Sequence, residues 1–201
     1  KVVFKLVGIN QTLEVYTTRI DTIYGVTFLA LSPNHSLIKT MLDSNSEINL
    51  FIEQCSGLKV SEETVGNIDK KGIDTGIKAI NPINGKIIPV WVANYILSDY
   101  GTGCVMSVPG HDERDNDFAL KYNLPVIEVV TPKKNLKSKR KVFTDDGILI
   151  KSDKHTGLDS AAARKSILEE LVKKDSAESK INYRLRDWGI SRQRYWGCPI
   201  P

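Results

Sequence analysis

An α+β fold with a curled antiparallel sheet or small barrel at its centre follows from three features of the sequence. Short β-branched, apolar runs recur along the chain: VTFLAL, GIKAINP, NGKIIPVWVANYIL, GTGCVMSVP and LPVIEVV. Glycine and proline separate them at close intervals, which is the spacing of turns and not of crossover helices. Helical periodicity is confined to a few segments, so a βαβ architecture is not expected.

Each element has a local reason. Residues 2–7 and 12–18 alternate apolar and polar positions around the turn-prone GIN, and they read as a hairpin. Val26 to Leu31 is β-branched and ends at Ser32-Pro33-Asn34, a helix-start signal for HSLIKTML. A second helical pattern covers Glu47 to Cys55, and the turn-separated strands follow it. From His111 to Tyr122 the spacing is helical, with Phe118, Ala119 and Tyr122 on one side, Asp112 or a neighbour as cap and Pro125 beyond the end. A last helix is predicted over Ser160 to Lys173.

Bulk properties narrow the class. The 201 residues are 41% hydrophobic and 26% charged, in the globular range, and no apolar run approaches the ~20 residues of a membrane span. The opening KVVFKLVGIN lacks a signal-peptide pattern. Cys55, Cys104 and Cys198 are odd in number and never form a C-x-x-C pair, which favours free thiols in a reducing compartment over a zinc ribbon or disulfide framework. The net charge of +4 is uneven: residues 1–130 carry 11 basic and 15 acidic side chains, and residues 131–201 carry 17 and 9. A basic back half points to a phosphate-bearing partner, or to a solvated lysine-rich loop at KKNLKSKRK, Lys133 to Lys141.

Several enzyme plans are missing, among them G-x-S-x-G, H-E-x-x-H, the P-loop and G-x-G-x-x-G opening a helix. The histidines His35, His111 and His155 lie far apart, and a metal site on His111, Asp112 and Asp115 lacks a further His or Cys at ligand spacing. Cys104, flanked by Val105 and Met106, reads as a buried, inert thiol before it reads as a nucleophile. Two polar clusters remain, TTRIDT from Thr17 and GHDERD from Gly110. The first is a surface turn opening a short helical segment at Asp21 and Thr22, or a ring of hydroxyls and amides around a polar ligand. In the second, Asp112 and Asp115 stand three apart at a helix start, which suits capping, or a carboxylate that takes up a primary ammonium.

Together TTRIDTIYG, GTGCVMSVPGHDERD and the terminal YRLRDWGISRQRYWG resemble the editing domain of bacterial-type leucyl-tRNA synthetases, in family order and over nearly the whole chain. Valyl and isoleucyl relatives carry related motifs in different wording. Ile20 stands where the family usually has Pro, and Cys104 and Ser107 where it usually has Ala. Ile20 leaves the loop less rigid than Pro would.

The resemblance implies a β-barrel-like core of antiparallel strands with peripheral helices, an editing domain over residues 1–182 and a segment over 183–201 that returns toward a synthetic domain. It implies hydrolysis of the ester of tRNA-Leu mischarged with isoleucine, norvaline or methionine, while leucine is excluded. Thr17, Thr18 and Arg19 would hold the terminal adenosine and position the attacking water. Thr22 would be the wall that rejects leucine, and Asp115 the anchor of the α-ammonium. Asp112 would touch water or cap its helix. Met106, Val108 and Tyr100 would line the pocket, and His111 would contact substrate, with a general-base role as its lesser alternative. No cofactor or metal is implied. The partners would be aminoacylated tRNA-Leu and the rest of a synthetase chain, without a membrane, in the cytoplasm of a bacterium or in an organelle of bacterial descent. Neither HIGH nor KMSKS occurs, so these residues are not expected to activate amino acids or charge tRNA, and ATP binding would belong to the full-length enzyme. Two rivals stay open: a valyl-type or isoleucyl-type editing specificity, and a non-catalytic RNA-binding module.

Overall fold

A computed structural model of the protein describes residues 1–39, 46–56, 69–98, 101–133 and 142–181. Tyr100, most of the basic stretch after Lys133, the continuation of HSLIKTML beyond Lys39 and the terminal YRLRDWGISRQRYWG lie outside the described residues.

The hairpin forms as its alternation predicts. Strand β1 (Val2–Leu6) pairs antiparallel with β2 (Thr12–Val15) so that Val2 meets Val15 and Phe4 meets Leu13 on the buried face. Val3 opposite Glu14 and Lys5 opposite Thr12 fall on the other face. A six-stranded sheet grows from this hairpin in the order β2-β1-β4-β5-β3-β6, with β3 at Phe28–Leu31, β4 at Gly72–Ile80, β5 at Ile87–Ala93 and β6 at Cys104–Ser107. The register of β4 against β5 shifts between Asp74 and Lys78, where Gly76 takes φ +74°. Only glycine holds that conformation without a Cβ penalty, so the two extra residues of β4 are accommodated there.

Two expectations change. The sheet is mixed, because β3 runs parallel to β5, with Leu29 beside Val90 and Leu31 beside Val92. It is also open: among the described residues the edges β2 and β6 form no ladder, so no closed barrel is present. The Thr102 hydroxyl, just before β6, donates to the Glu14 carbonyl and holds these edges close without pairing them. Every residue of FLAL in β3 is buried, the signature of a strand covered on both faces, and apolar content alone does not reveal strand direction.

One face of the sheet carries the main core, including Phe4, Leu29, Leu31, Val90 and Val92. Against the other packs helix α3 (Glu113–Lys121), whose Phe118 stacks on Phe28 at 5.2 Å between centroids and meets Trp91 edge-on at 5.6 Å. Gly72 is required beneath it, since a Cβ there would lie 2.6 Å from Phe118 Cζ. Helices α1 (Ser36–Lys39) and α2 (Ser46–Ser56) occupy the connection between β3 and β4.

The run LPVIEVV contributes only its end to a strand, β7 (Val130–Thr131), paired with β8 (Ile148–Leu149), which sequence patterning missed. A short 3-10 turn (Asp153–His155) and helix α4 (Ser160–Lys173) follow. Asp159 caps α4 by accepting from the Ala161 and Ala162 N–H groups, and Ala163, Ile167 and Leu171 form its buried side. Among the described residues no helix is long and apolar enough to cross a membrane.

Candidate active site

The TTRIDT cluster is not a surface turn. Ile20–Gly25 form a 3-10 helix, all six residues buried, and Asp21 is wholly inaccessible. A buried carboxylate must be paired, and two arginines meet it. Arg19 donates from Nε to Asp21 Oδ1 at 3.1 Å and from Nη2 to Oδ2 at 3.0 Å, and Arg164 of α4 lies 3.9 Å from Oδ1 while pairing with Asp146. Thr17 Oγ1 accepts from the Arg19 N–H at 2.9 Å, and the Thr22 hydroxyl donates to the Arg19 carbonyl at 2.9 Å. Thr22 is thereby fixed in one rotamer, 3% exposed. Thr18 is exposed beside them.

At GHDERD the two aspartates divide their work. Asp112 is the N-cap of α3: its Oδ1 accepts from the Arg114 and Asp115 N–H groups at 2.9 and 3.2 Å, and its carboxylate pairs with the Arg114 guanidinium. Asp115 turns inward instead, 7% exposed. Its Oδ2 accepts from the Val108 N–H at 2.9 Å and its Oδ1 from the Tyr95 hydroxyl at 3.0 Å. Burial, reinforced by the Asp112 charge, pushes the Asp115 carboxyl up to about 7, while these two donors and Arg114 act in the opposite sense. Each oxygen still has a further lone pair, so the group can accept one more donor.

His111 is satisfied by backbone. Its Nδ1 donates to the Phe143 carbonyl at 2.8 Å, and its Nε2 accepts from the Val129 and Val130 N–H groups at 2.9 and 3.0 Å. Only the neutral imidazole with its proton on Nδ1 meets all three. Burial, the leading cause, lowers its pKa accordingly. With its one lone pair engaged, His111 has none to offer as a general base. The same contacts explain why LPVIEVV is not a regular strand: its last N–H groups go to an imidazole.

The two motifs are neighbours. Gly25, closing TTRIDTIYG, leaves room for Val108: a Cβ there would stand 3.1 Å from Val108 Cγ1 and 3.0 Å from the Ile127 carbonyl. Thr27 donates its N–H to the Ser107 carbonyl at 3.2 Å. Met106 and Val108, 9% and 5% exposed, belong to the core between the clusters. Cys104 is buried and its thiol pKa is raised by that burial, which leaves it inert. Among the described residues no group of three or more His, Cys, Asp or Glu side chains could hold a metal ion. Sequence reasoning overlooked Tyr95, Arg164 and the carbonyls of 143–145, because nothing in their local wording ties them to either motif.

Comparison with known proteins places the chain in a family. The family profile "Leucyl-tRNA synthetase, editing domain" matches residues 1–172. The chain is 48% identical over 200 residues to a leucine–tRNA ligase of Alkalilimnicola ehrlichii, covering 98% of this chain and 23% of that protein. It is 49% identical over 205 residues to the leucine–tRNA ligase of Parvibaculum lavamentivorans, covering 96% of this chain and 24% of that one. It thus spans about a quarter of the length of the curated relatives it matches. Among solved structures, the ternary LeuRS-tRNA-LeuAMS complex of Agrobacterium radiobacter K84 aligns over all of this chain and 22% of its own, with TM-score 0.71 and 36% identity. With both polar motifs folded against each other in a domain that such relatives share throughout, the chain belongs to the leucyl-tRNA synthetase editing-domain family.

Proposed function

We propose that this chain is a post-transfer editing domain that hydrolyses the ester joining tRNA-Leu to a near-cognate amino acid such as isoleucine, norvaline or methionine, and that it spares leucine. The observation that carries the reading is the buried Asp115 carboxylate, placed behind Val108, on which the Thr22-bearing helix packs. Every aminoacyl ester presents an α-ammonium. A carboxylate in a partly dry site gives it a charge-assisted hydrogen bond and orients the adjacent carbonyl.

Two sieves are needed because one methylene is worth only about 1–3 kcal/mol in an apolar pocket. Thr22 supplies the second, its branched side chain held by the Arg19 carbonyl so that it clashes with the branch of leucine. Thr17, Thr18 and Arg19 hold the terminal adenosine and a water, Met106 and Val108 line the pocket, and Asp112 keeps α3 in register. His111 acts through position, by fixing the 143 carbonyl and the 129–130 backbone near the site. The water adds to the ester carbonyl, the bond to the ribose oxygen breaks, and that oxygen leaves with a proton as the free amino acid departs. An aminoacyl ester is already activated, so orientation provides most of the rate and the mechanism routes no step through a cofactor.

On this reading residues 1–182 form the editing unit, residues 183–201 lead to the synthetic part of a longer synthetase, and the setting is the cytoplasm. Deacylation of tRNA-Leu charged with isoleucine or norvaline, beside leucyl-tRNA, tests it. Hydrolysis confined to the wrong esters is expected, and equal treatment of leucine overturns it.

A further inference from the structure

Tyr95 follows β5 in a turn, 3% exposed, with its ring set 5.6 Å from Phe118. Packing alone would be served by phenylalanine. Its hydroxyl reaches across to α3 and donates to Asp115 Oδ1 at 3.0 Å, while the Val108 N–H holds the other oxygen at 2.9 Å. The carboxylate is therefore gripped at both ends by groups on separate elements, and its plane is fixed. Behind the phenol lies a second hydroxyl. Ser107 is wholly buried and sits beside the Tyr95 hydroxyl, yet its Oγ makes no well-aligned hydrogen bond among the described residues. A phenol that donates to Asp115 keeps lone pairs for such a donor, and an O–H approaching them polarises the phenol toward the carboxylate.

We propose that Tyr95 is a positioning residue for the ammonium anchor: backed by Ser107, it fixes the Asp115 carboxylate so that the remaining lone pairs meet the α-ammonium of the aminoacyl group. This rests on the editing reading above. Among the described residues the charged groups facing Asp115 are Asp112 and Arg114 of α3 and its cap, and Tyr95 is the titratable group that meets it from the sheet side. Were Tyr95 only filling the core, its hydroxyl would matter to stability and not to the recognition of a cation.

Two non-hydrolysable probes separate these roles: adenosine bearing norvaline through an amide, and the same compound with pentanoate, which lacks the ammonium. The 201-residue chain is expected to prefer the first, and Asp115→Ala to abolish that preference. Tyr95→Phe should reduce the preference about tenfold, as for a lost hydrogen bond to a charged group, with the pentanoyl affinity unchanged. Ser107→Ala removes only the hydroxyl beside the phenol, so it should keep the fold and give a smaller loss of the same kind. If Asp115→Ala abolishes the preference while Tyr95→Phe and Ser107→Ala leave it intact, or weaken both probes equally, the positioning role is overturned and the editing reading stands. No preference in the wild-type chain overturns both.

Discussion

Arg19 and His111, one from each polar motif, hold adjacent carbonyl oxygens of a single loop: Arg19 Nη1 donates to Thr144 O at 2.7 Å and His111 Nδ1 to Phe143 O at 2.8 Å. The loop between Val142 and Gly147 thus bridges clusters that are distant in sequence. Its backbone acceptors are satisfied by side chains of the two motifs, so the motifs and the loop are expected to order together.

On the proposed reading, replacing Thr22 should open the sieve. Thr22→Ala removes a side chain fixed against the Arg19 carbonyl, and leucyl-tRNA should then be deacylated at a rate approaching that of norvalyl-tRNA. A variant that still spares leucine would remove Thr22 from the gate.

Acid should silence the free site. The Asp115 carboxyl, lifted to about 7 by burial, must be ionised to hold an ammonium, so kcat/KM should fall as pH drops through about 7. Because kcat reports the complex, in which the bound cation favours the carboxylate, its decline should come at lower pH. A flat profile from pH 5 to 8 would contradict the anchor.

The same carboxyl makes a stability prediction of opposite sense. Its folded-state pKa lies above the unfolded value of 3.8, so the protonated group favours the fold and that contribution is lost as pH rises from about 4 to about 7. Asp115→Asn should therefore gain in relative Tm between pH 5 and pH 8 while losing editing. A variant that loses Tm equally at both pH values would make Asp115 a structural tie only.

Asp21 should behave differently. It is wholly buried between Arg19 and Arg164, and Asp21→Asn leaves two guanidinium groups facing a neutral amide. Breaking such a pair costs about 3 kcal/mol, which thermal or urea unfolding would register along with a loss of editing. Unchanged stability would show that the arginines find other partners.

A backbone contact sets the last prediction. At Gly110 a Cβ would stand 2.4 Å from the Ile127 carbonyl oxygen, and backbone cannot step aside as a side-chain end can. Gly110→Ala should destabilise by about 1–3 kcal/mol and impair editing by displacing His111. A neutral effect in unfolding experiments would mean that the 127–130 segment relaxes freely.

Much of this was legible in the sequence because local chemistry decided it. The hairpin followed from alternation, and the cap at Asp112 and the helix over Ser160–Lys173 followed from their end signals and spacing. The parallel pairing of β3 with β5 was not, since a run such as FLAL is apolar on both faces and carries no mark of direction. The open edge between β2 and β6 depends on long-range register. TTRIDT showed its polarity but not its burial: Arg19 pairs Asp21 within the motif, but the Thr144 carbonyl that Arg19 holds and the second arginine, Arg164, come from far along the chain. Tyr95 was hidden because its partner Asp115 lies on a helix elsewhere in the chain that packs on the same face of the sheet.

The central claim meets its most direct test in single-turnover deacylation, with the chain in excess over tRNA-Leu charged with either norvaline or leucine. The wild-type chain should release norvaline and leave leucine attached, and Asp115→Ala should release neither. Loss of both esters at equal rates, or of neither with the wild-type chain in excess, would contradict it.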